Sequence, residues 1–172
     1  VLGVALLSPE GLVGGLLHIS AHAFMKITLF FCAGAILVHV HKENVSDLNG
    51  IGRAMPWTMG AFTIGALGLA GVPPVNGFVS KWFLAAGTIQ AGTALGLGVD
   101  LLSGLLNAGY FFPIVHRAFF RPSNQYEGYG EASPWMVVPI CVASLLALLF
   151  GIFPNMGVGF YDLSVTIMET VM

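Results

Sequence analysis

Charged side chains are scarce in this chain of 172 residues. Asp, Glu, Lys and Arg together make up 8% of the sequence, whereas about a quarter of the residues of a soluble domain are charged. Hydrophobic residues make up 56%, so the chain has too little charge to cover a surface in water. The composition therefore excludes an ordinary water-soluble fold and indicates an integral membrane protein. A net charge of −2 argues against nucleic acid as a partner.

Motifs for cofactors and metals are also missing. The two cysteines, Cys32 and Cys141, both lie inside apolar runs, and their spacing is not that of a metal site. We expect them to be small buried hydrophobic residues. The glycines of "GIGRAMPWTMG" lack the strand, turn and helix that a dinucleotide site requires. The sequence therefore predicts no bound cofactor and no metal site.

The chain begins at Val1 and not at Met. Residues 1–7 resemble the end of an apolar helix whose start is missing. We therefore expect the chain to be a fragment of a longer subunit, or one part of a split protein.

Long hydrophobic runs, in contrast, are abundant. A membrane-spanning helix needs about 20 apolar residues, and four segments are long enough: about 12–38, 57–91, 93–120 and 134–153. The second is too long for one straight crossing, and Pro73 and Pro74 near its middle remove two backbone donors and break a helix. We therefore expect an all-α membrane protein of about four spans. Residues 1–172 form a single membrane domain, and one helix is discontinuous near 72–76.

The basic residues of the loops predict the orientation. The loops that follow the first and third spans hold Lys42, Arg53, Arg117 and Arg121, and the opposite loops hold no Lys or Arg. Because basic loops remain on the cytoplasmic side, the tail after residue 153 is expected on the other side. There it forms a short interfacial helix or contacts a partner. The chain is thus predicted to cross the lipid bilayer of the inner (cytoplasmic) membrane several times.

The stretch "HISAHAFMK" places three ionisable groups inside the first span: His18, His22 and Lys26. Residues four apart on a helix lie on one face, so the three form a stripe about 12 Å long. Lys26 lies near the centre of the span, where a charge costs about 3 kcal/mol. A structural stripe between helices and a metal site are alternatives. The metal site is disfavoured because Lys is a poor ligand and no carboxylate accompanies the stripe. We favour a proton relay, because histidine binds and releases protons near neutral pH.

The stretch "GLAGVPPVNGFVSKWFL" places Lys81 about two turns beyond the break at Pro73 and Pro74. Non-helical backbone at membrane depth is tolerated only inside protein or beside water, and transporters place ion sites at broken helices. A simple proline kink with a lysine that extends to the membrane surface is the alternative. Lys81 is too deep to reach the surface easily, and we expect it near the level of His18 and His22. Asn107, in the third span, is expected to hydrogen-bond across helices.

Both stretches resemble a known family. "HISAHAFMKITLFFCAGAILVH" and "MPWTMGAFTIGALGLAGVPPVNGFVSKWFL" are similar to the antiporter-like subunits of respiratory complex I, of membrane-bound hydrogenases and of Mrp sodium/proton antiporters. The D-type Mrp subunit is the most similar in sequence, through "DLNGIGRAMPWTMGAF" and "GFVSKWFL". The resemblance covers about residues 12–121. It implies about fourteen helices with two inverted repeats, of which this chain supplies the C-terminal portion.

The resemblance also implies roles for the ionisable residues. His18, His22 and Lys26 would be the relay and Lys81 the terminal lysine. A Glu and a Lys of the missing N-terminal repeat would be partners. The predicted function is translocation of protons, or exchange of Na⁺ for H⁺, in a complex with other membrane subunits that carry any redox chemistry. A non-transporting membrane scaffold and a quinone-binding subunit are the alternatives, and the ion and the host complex stay open.

Overall fold

The computed structural model describes residues 2–123, 125–128, 130–157 and 159–171. Within these ranges every regular element is a helix, which confirms the all-α prediction. The elements are α1 (Leu2–Ala5), α2 (Pro9–Val40), a 3₁₀ turn (Val45–Leu48), α3 (Ile51–Ala54), α4 (Pro56–Ala70), α5 (Asn76–Gln90), α6 (Ala94–Phe120), α7 (Pro134–Ile152) and α8 (Phe160–Val171). Val1, in the predicted helix end at residues 1–7, and Val158 and Met172, in the tail after residue 153, lie outside the described residues.

Three helices, α2, α6 and α7, are long and apolar enough to cross a membrane. They coincide with the first, third and fourth predicted segments. Helices α4 and α5 have 15 residues each, and a span needs about 20. They are the two halves of the discontinuous second segment. The chain is therefore an integral membrane protein that crosses the bilayer several times.

Helix α4 ends at Ala70 because Gly71 adopts a left-handed conformation, with φ of 83°. The N–H of Gly71 donates to the carbonyl of Gly68 at 3.0 Å, and the N–H of Val72 donates to that of Leu67 at 2.9 Å. These bonds satisfy carbonyls that the end of a helix leaves free. A residue with a Cβ would be strained at φ of 83°.

Pro73 and Pro74 follow and donate no backbone hydrogen bonds. Helix α5 begins at Asn76. The non-helical segment therefore spans residues 71–75, one residue earlier than the predicted 72–76. The shift arises because the left-handed glycine, and not the first proline, ends the preceding helix.

Helix α2 lies at the centre of the bundle. It packs against α1, α4, α5, α7 and α8, while α6 packs against α4 and α5. The core is filled by fully buried apolar side chains that include Met25 of α2, Met59 of α4 and Ile140 of α7. Of the 27 residues of α6, only Gly104 and Ala118 are buried. Helix α6 therefore has one contact face, and the rest of its surface is open.

Two side chains bond α4 to neighbouring segments, one at each end of the helix. Glu131, in the loop before α7, accepts hydrogen bonds from the Trp57 N–H at 2.9 Å and from the Thr58 hydroxyl at 2.6 Å. A carboxylate at this position satisfies free donors at the start of α4 and suits the helix dipole. Asn107 of α6 donates to the carbonyl of Leu69 at 3.2 Å. Asn107 therefore makes the predicted hydrogen bond across helices. The acceptor residue, Leu69, lies one residue before the end of α4.

Helix α7 supports the broken segment through Gly151. A Cβ added there would lie 1.9 Å from the carbonyl oxygen of Pro74. Gly151→Ala is therefore expected to lower the free energy of unfolding by about 1–3 kcal/mol, because α7 must move away from the break. The measurement is the thermal unfolding of the full-length subunit in detergent.

The matched control is Gly34→Ala in α2, where an added Cβ meets no heavy atom of the described residues within 4 Å. It should keep or raise the unfolding temperature, since Ala favours a helix over Gly by up to about 1 kcal/mol. Equal unfolding temperatures for the two variants would contradict the close contact of α7 with the break.

Candidate functional site

The stripe of His18, His22 and Lys26 lies on one side of α2, as the spacing predicts. The ring centroids of His18 and His22 are 5.7 Å apart, with the ring planes tilted by 39°. The charge of Lys26 interacts electrostatically with His22 one turn away. His22 is exposed on the surface of the bundle, while His18 and Lys26 are half-buried. The two ends of the stripe are therefore less exposed than its middle.

His18 is held by α5 through Ser80. The His18 Nδ1 atom lies 2.9 Å from the Ser80 hydroxyl oxygen, and that hydroxyl donates to the carbonyl of Gly77 at 3.1 Å. A serine hydroxyl has a single hydrogen. Both bonds therefore form together when the Nδ1–H of His18 donates to Ser80. In this neutral tautomer, Nε2 carries a free lone pair and can accept a proton.

Lys81 follows Ser80 in α5, and its side chain runs to the break. Its Nζ is buried and has no hydrogen-bond partner among the described residues. An added Cβ on Gly71 would lie 2.8 Å from Lys81 Cδ, and one on Gly104 would lie 3.1 Å from Nζ. The ammonium group therefore lies between the C-terminal end of α4 and the buried face of α6. The negative end of the α4 dipole favours a cation there.

The histidines open onto a cavity of about 510 Å³. It is lined by His18, His22, Asp100 and Ser103, together with the apolar residues Leu2, Gly3, Gly15, Ile19, Leu84 and Val99. A cavity of this size with several polar groups has room for water molecules. Lys26 does not line it. The structure thus places the two histidines beside one cavity with a partly polar lining. Lys26 is connected to the histidines only through its position on α2.

Asp100 is the residue that the sequence interpretation missed. The statement that no carboxylate accompanies the stripe is wrong, because Asp100 of α6 lines the same cavity as His18 and His22. Its charge also interacts electrostatically with Lys81. The signal was available, since an Asp inside a segment predicted to span the membrane marks a functional position. Even so, no group of three or more His, Cys, Asp or Glu residues in the described parts of the chain could hold a metal ion.

The lysine and the histidines lie at the same level but are not in direct contact. His18 bonds to Ser80, the neighbour of Lys81 in the chain, whereas Lys81 Nζ has no hydrogen-bond partner in the described part of the chain. Any proton passed between the two groups therefore requires an intermediate group or water.

Comparison with known proteins identifies the family. A family described as "NADH:quinone oxidoreductase/Mrp antiporter, TM" matches residues 1–107. NADH-quinone oxidoreductase subunit N of Desulforudis audaxviator is 37% identical over 166 residues, which cover 89% of this chain and 33% of that protein. F(420)H(2) dehydrogenase subunit N of Methanosarcina mazei is 31% identical over 161 residues, which cover 88% of this chain and 32% of the relative. The chain thus spans about a third of the length of these relatives.

Solved structures show the same fold. A chain in the Mrp complex from Dietzia sp. DQ12-45-1b superposes with a TM-score of 0.88 at 22% identity, covering 98% of this chain and 39% of that one. A chain of respiratory complex I from Thermus thermophilus gives a TM-score of 0.82 at 22% identity, covering 99% of this chain and 36% of that one. The predicted family is confirmed, while the finer assignment to a D-type Mrp subunit stays a prediction. The chain belongs to the NADH:quinone oxidoreductase/Mrp antiporter family of antiporter-like membrane subunits.

Proposed function

We propose that this chain is the C-terminal portion of a subunit that translocates protons, or exchanges Na⁺ for H⁺, across the cytoplasmic membrane. Protons move along Lys26, His22, His18 and Lys81. One observation carries the proposal: His18 is bonded to the residue next to Lys81, beside a cavity that both histidines and Asp100 line. Titratable groups are costly at this depth, and a charged lysine costs about 3 kcal/mol. Four titratable groups close to one another therefore indicate a role beyond packing.

The steps between the groups run through water. The centroids of the two imidazole rings are 5.7 Å apart, and His18 Nδ1 bonds to Ser80 and not to His22. The adjoining cavity of about 510 Å³ provides space for bridging water. A proton that reaches the stripe is taken up at the free Nε2 of His18, while Ser80 holds the ring through Nδ1. The fixed ring keeps this lone pair in one orientation.

Lys81 ends the route in this chain. Its ammonium is held beside the carbonyl end of α4, and the non-helical segment 71–75 exposes polar backbone at the same depth. Backbone of this kind is tolerated in a membrane beside water. Lys81 can therefore pass its proton to water at the break, from which it leaves on the side opposite to the basic loops.

The partners of this chain are inferred from the proteins that it resembles. The relatives are named as subunits of NADH-quinone oxidoreductase and of F(420)H(2) dehydrogenase, and one similar structure is that of an Mrp complex. We propose that this chain likewise assembles with further membrane subunits and with the other two thirds of its own subunit. Any redox chemistry belongs to those partners, and the proton relay itself uses no cofactor.

The test is the double variant His18→Leu/His22→Leu in the full-length subunit, assembled in its complex and reconstituted into vesicles. The proton flux, followed with an internal pH dye, should fall about fivefold, less than a complete block because cavity water bridges part of the gap. The control is His116→Leu, since His116 stacks on Phe120 near the end of α6, away from the stripe. Normal flux in an assembled double variant would instead support a scaffold, and loss of quinone binding alone would support a quinone site.

A further inference from the structure

We propose that Asp100 is a further proton-carrying residue, which links the histidines of α2 to Lys81 of α5. The inference rests on the proposed function and adds a carboxylate from a third helix. Asp100 lies outside both sequence motifs.

The position of Asp100 on α6 is suited to this role. Asp100 is half-buried and lines the cavity that His18 and His22 also line. Residues four apart lie on the same face of a helix. One turn further along α6, Gly104 is buried, and an added Cβ there would lie 3.1 Å from Lys81 Nζ. The face of α6 that carries Asp100 is therefore the face that closes the site of Lys81.

The arrangement of Asp100 and Lys81 favours transfer of a proton between them over a fixed ion pair. The two charges interact electrostatically, yet Lys81 Nζ has no hydrogen-bond partner among the described residues. A contact ion pair would hold its proton on the lysine. A separated pair with water between its members can carry a proton from the acid to the base.

The transfer balances without an oxidant or a reductant. A protonated imidazole of His18 or His22 gives its proton through water to the carboxylate of Asp100, and a neutral carboxylic acid forms. The O–H bond of this acid then breaks as the proton passes to the neutral amine of Lys81, and an N–H bond forms. The carboxylate is regenerated, and the histidine is ready for the next proton.

The test variant is Asp100→Asn, which keeps the size and polarity of the side chain but cannot carry a proton. In the full-length subunit, assembled and reconstituted, we expect the proton flux to fall at least about threefold and its solvent deuterium isotope effect to rise, because proton transfer becomes limiting. Asp100→Glu should restore most of the flux. Asp47→Asn is the matched control, since it makes the same exchange in the 3₁₀ turn after α2, and Asp47 does not line the cavity. If Asp100→Asn does not assemble, Asp100→Ser is the second variant.

Lys81→Met, measured in parallel, separates the inference from the proposed function. Wild-type flux in Asp100→Asn together with lost flux in Lys81→Met overturns the role of Asp100 and leaves the function standing. Wild-type flux in both overturns both. Reduced flux with an unchanged isotope effect, and no rescue by Glu, means that Asp100 only positions Lys81, which also overturns the inference. Reduced flux with a larger isotope effect and rescue by Glu supports it.

Discussion

Lys81→Met should reduce ion translocation by about tenfold or more while the subunit still assembles. Methionine keeps the length and the apolar part of the side chain but removes the ammonium, which is buried without a hydrogen-bond partner among the described residues. Because the charge costs about 3 kcal/mol at this depth, its removal should leave the fold as stable or more stable. The measurement is internal pH in vesicles that hold the complete complex, together with thermal unfolding of the same sample.

Lys81→Arg sharpens the test because it retains the charge. A guanidinium does not release its proton at accessible pH, and its planar group is wider than an ammonium. The space at Lys81 is bounded by Gly71 and Gly104, whose added Cβ atoms would already crowd the lysine. We therefore expect Lys81→Arg to lose flux as well. Lys42→Met, in the loop after α2, is the control and should keep normal flux. Wild-type flux in Lys81→Met would make Lys81 a structural residue and leave the proposal on Lys26.

Much of the fold was accessible from the sequence because hydrophobic runs of membrane length are a strong signal. The three uninterrupted helices follow directly from these runs, and the two adjacent prolines mark the broken one. The position at which α4 ends was less accessible. Gly71 ends the helix through a left-handed conformation, and many glycines in this chain lie inside helices instead. Only the packed structure shows which glycine ends a helix and which, like Gly151, makes room for a neighbour.

The candidate site was predicted in part. Helical periodicity places His18, His22 and Lys26 on one side of α2, and this follows from one helix alone. Ser80 was not singled out, because its bond to His18 depends on how α2 crosses α5. Asp100 could have been singled out as a charged residue inside a predicted span, but its place beside the stripe depends on the packing of α6. Contacts between helices are set by side-chain fit, which periodicity within one helix does not encode.

Gly104→Val should reduce translocation by about tenfold although it removes no titratable group. A Cβ at position 104 would lie 3.1 Å from Lys81 Nζ and 2.8 Å from the carbonyl oxygen of Ala70. Valine adds two methyl groups beyond that atom, so the ammonium must leave its place beside the end of α4. Displacement of a reacting group by about 1 Å is enough for a large loss of rate. The measurement is the same vesicle assay, with assembly verified by the recovery of the intact complex.

Gly109→Val is the matched control, since it lies on the same helix and an added Cβ meets no heavy atom of the described residues within 4 Å. Both variants exchange Gly for Val inside α6, so any effect of helix propensity is shared. Flux near the wild-type value in Gly109→Val, with loss in Gly104→Val, would show that the space around Lys81 matters. Equal flux in the two assembled variants would contradict the placement of the Lys81 ammonium against α6. If Gly104→Val does not assemble, Gly104→Ala is measured in its place. Its single methyl group should cause a smaller loss of proton flux.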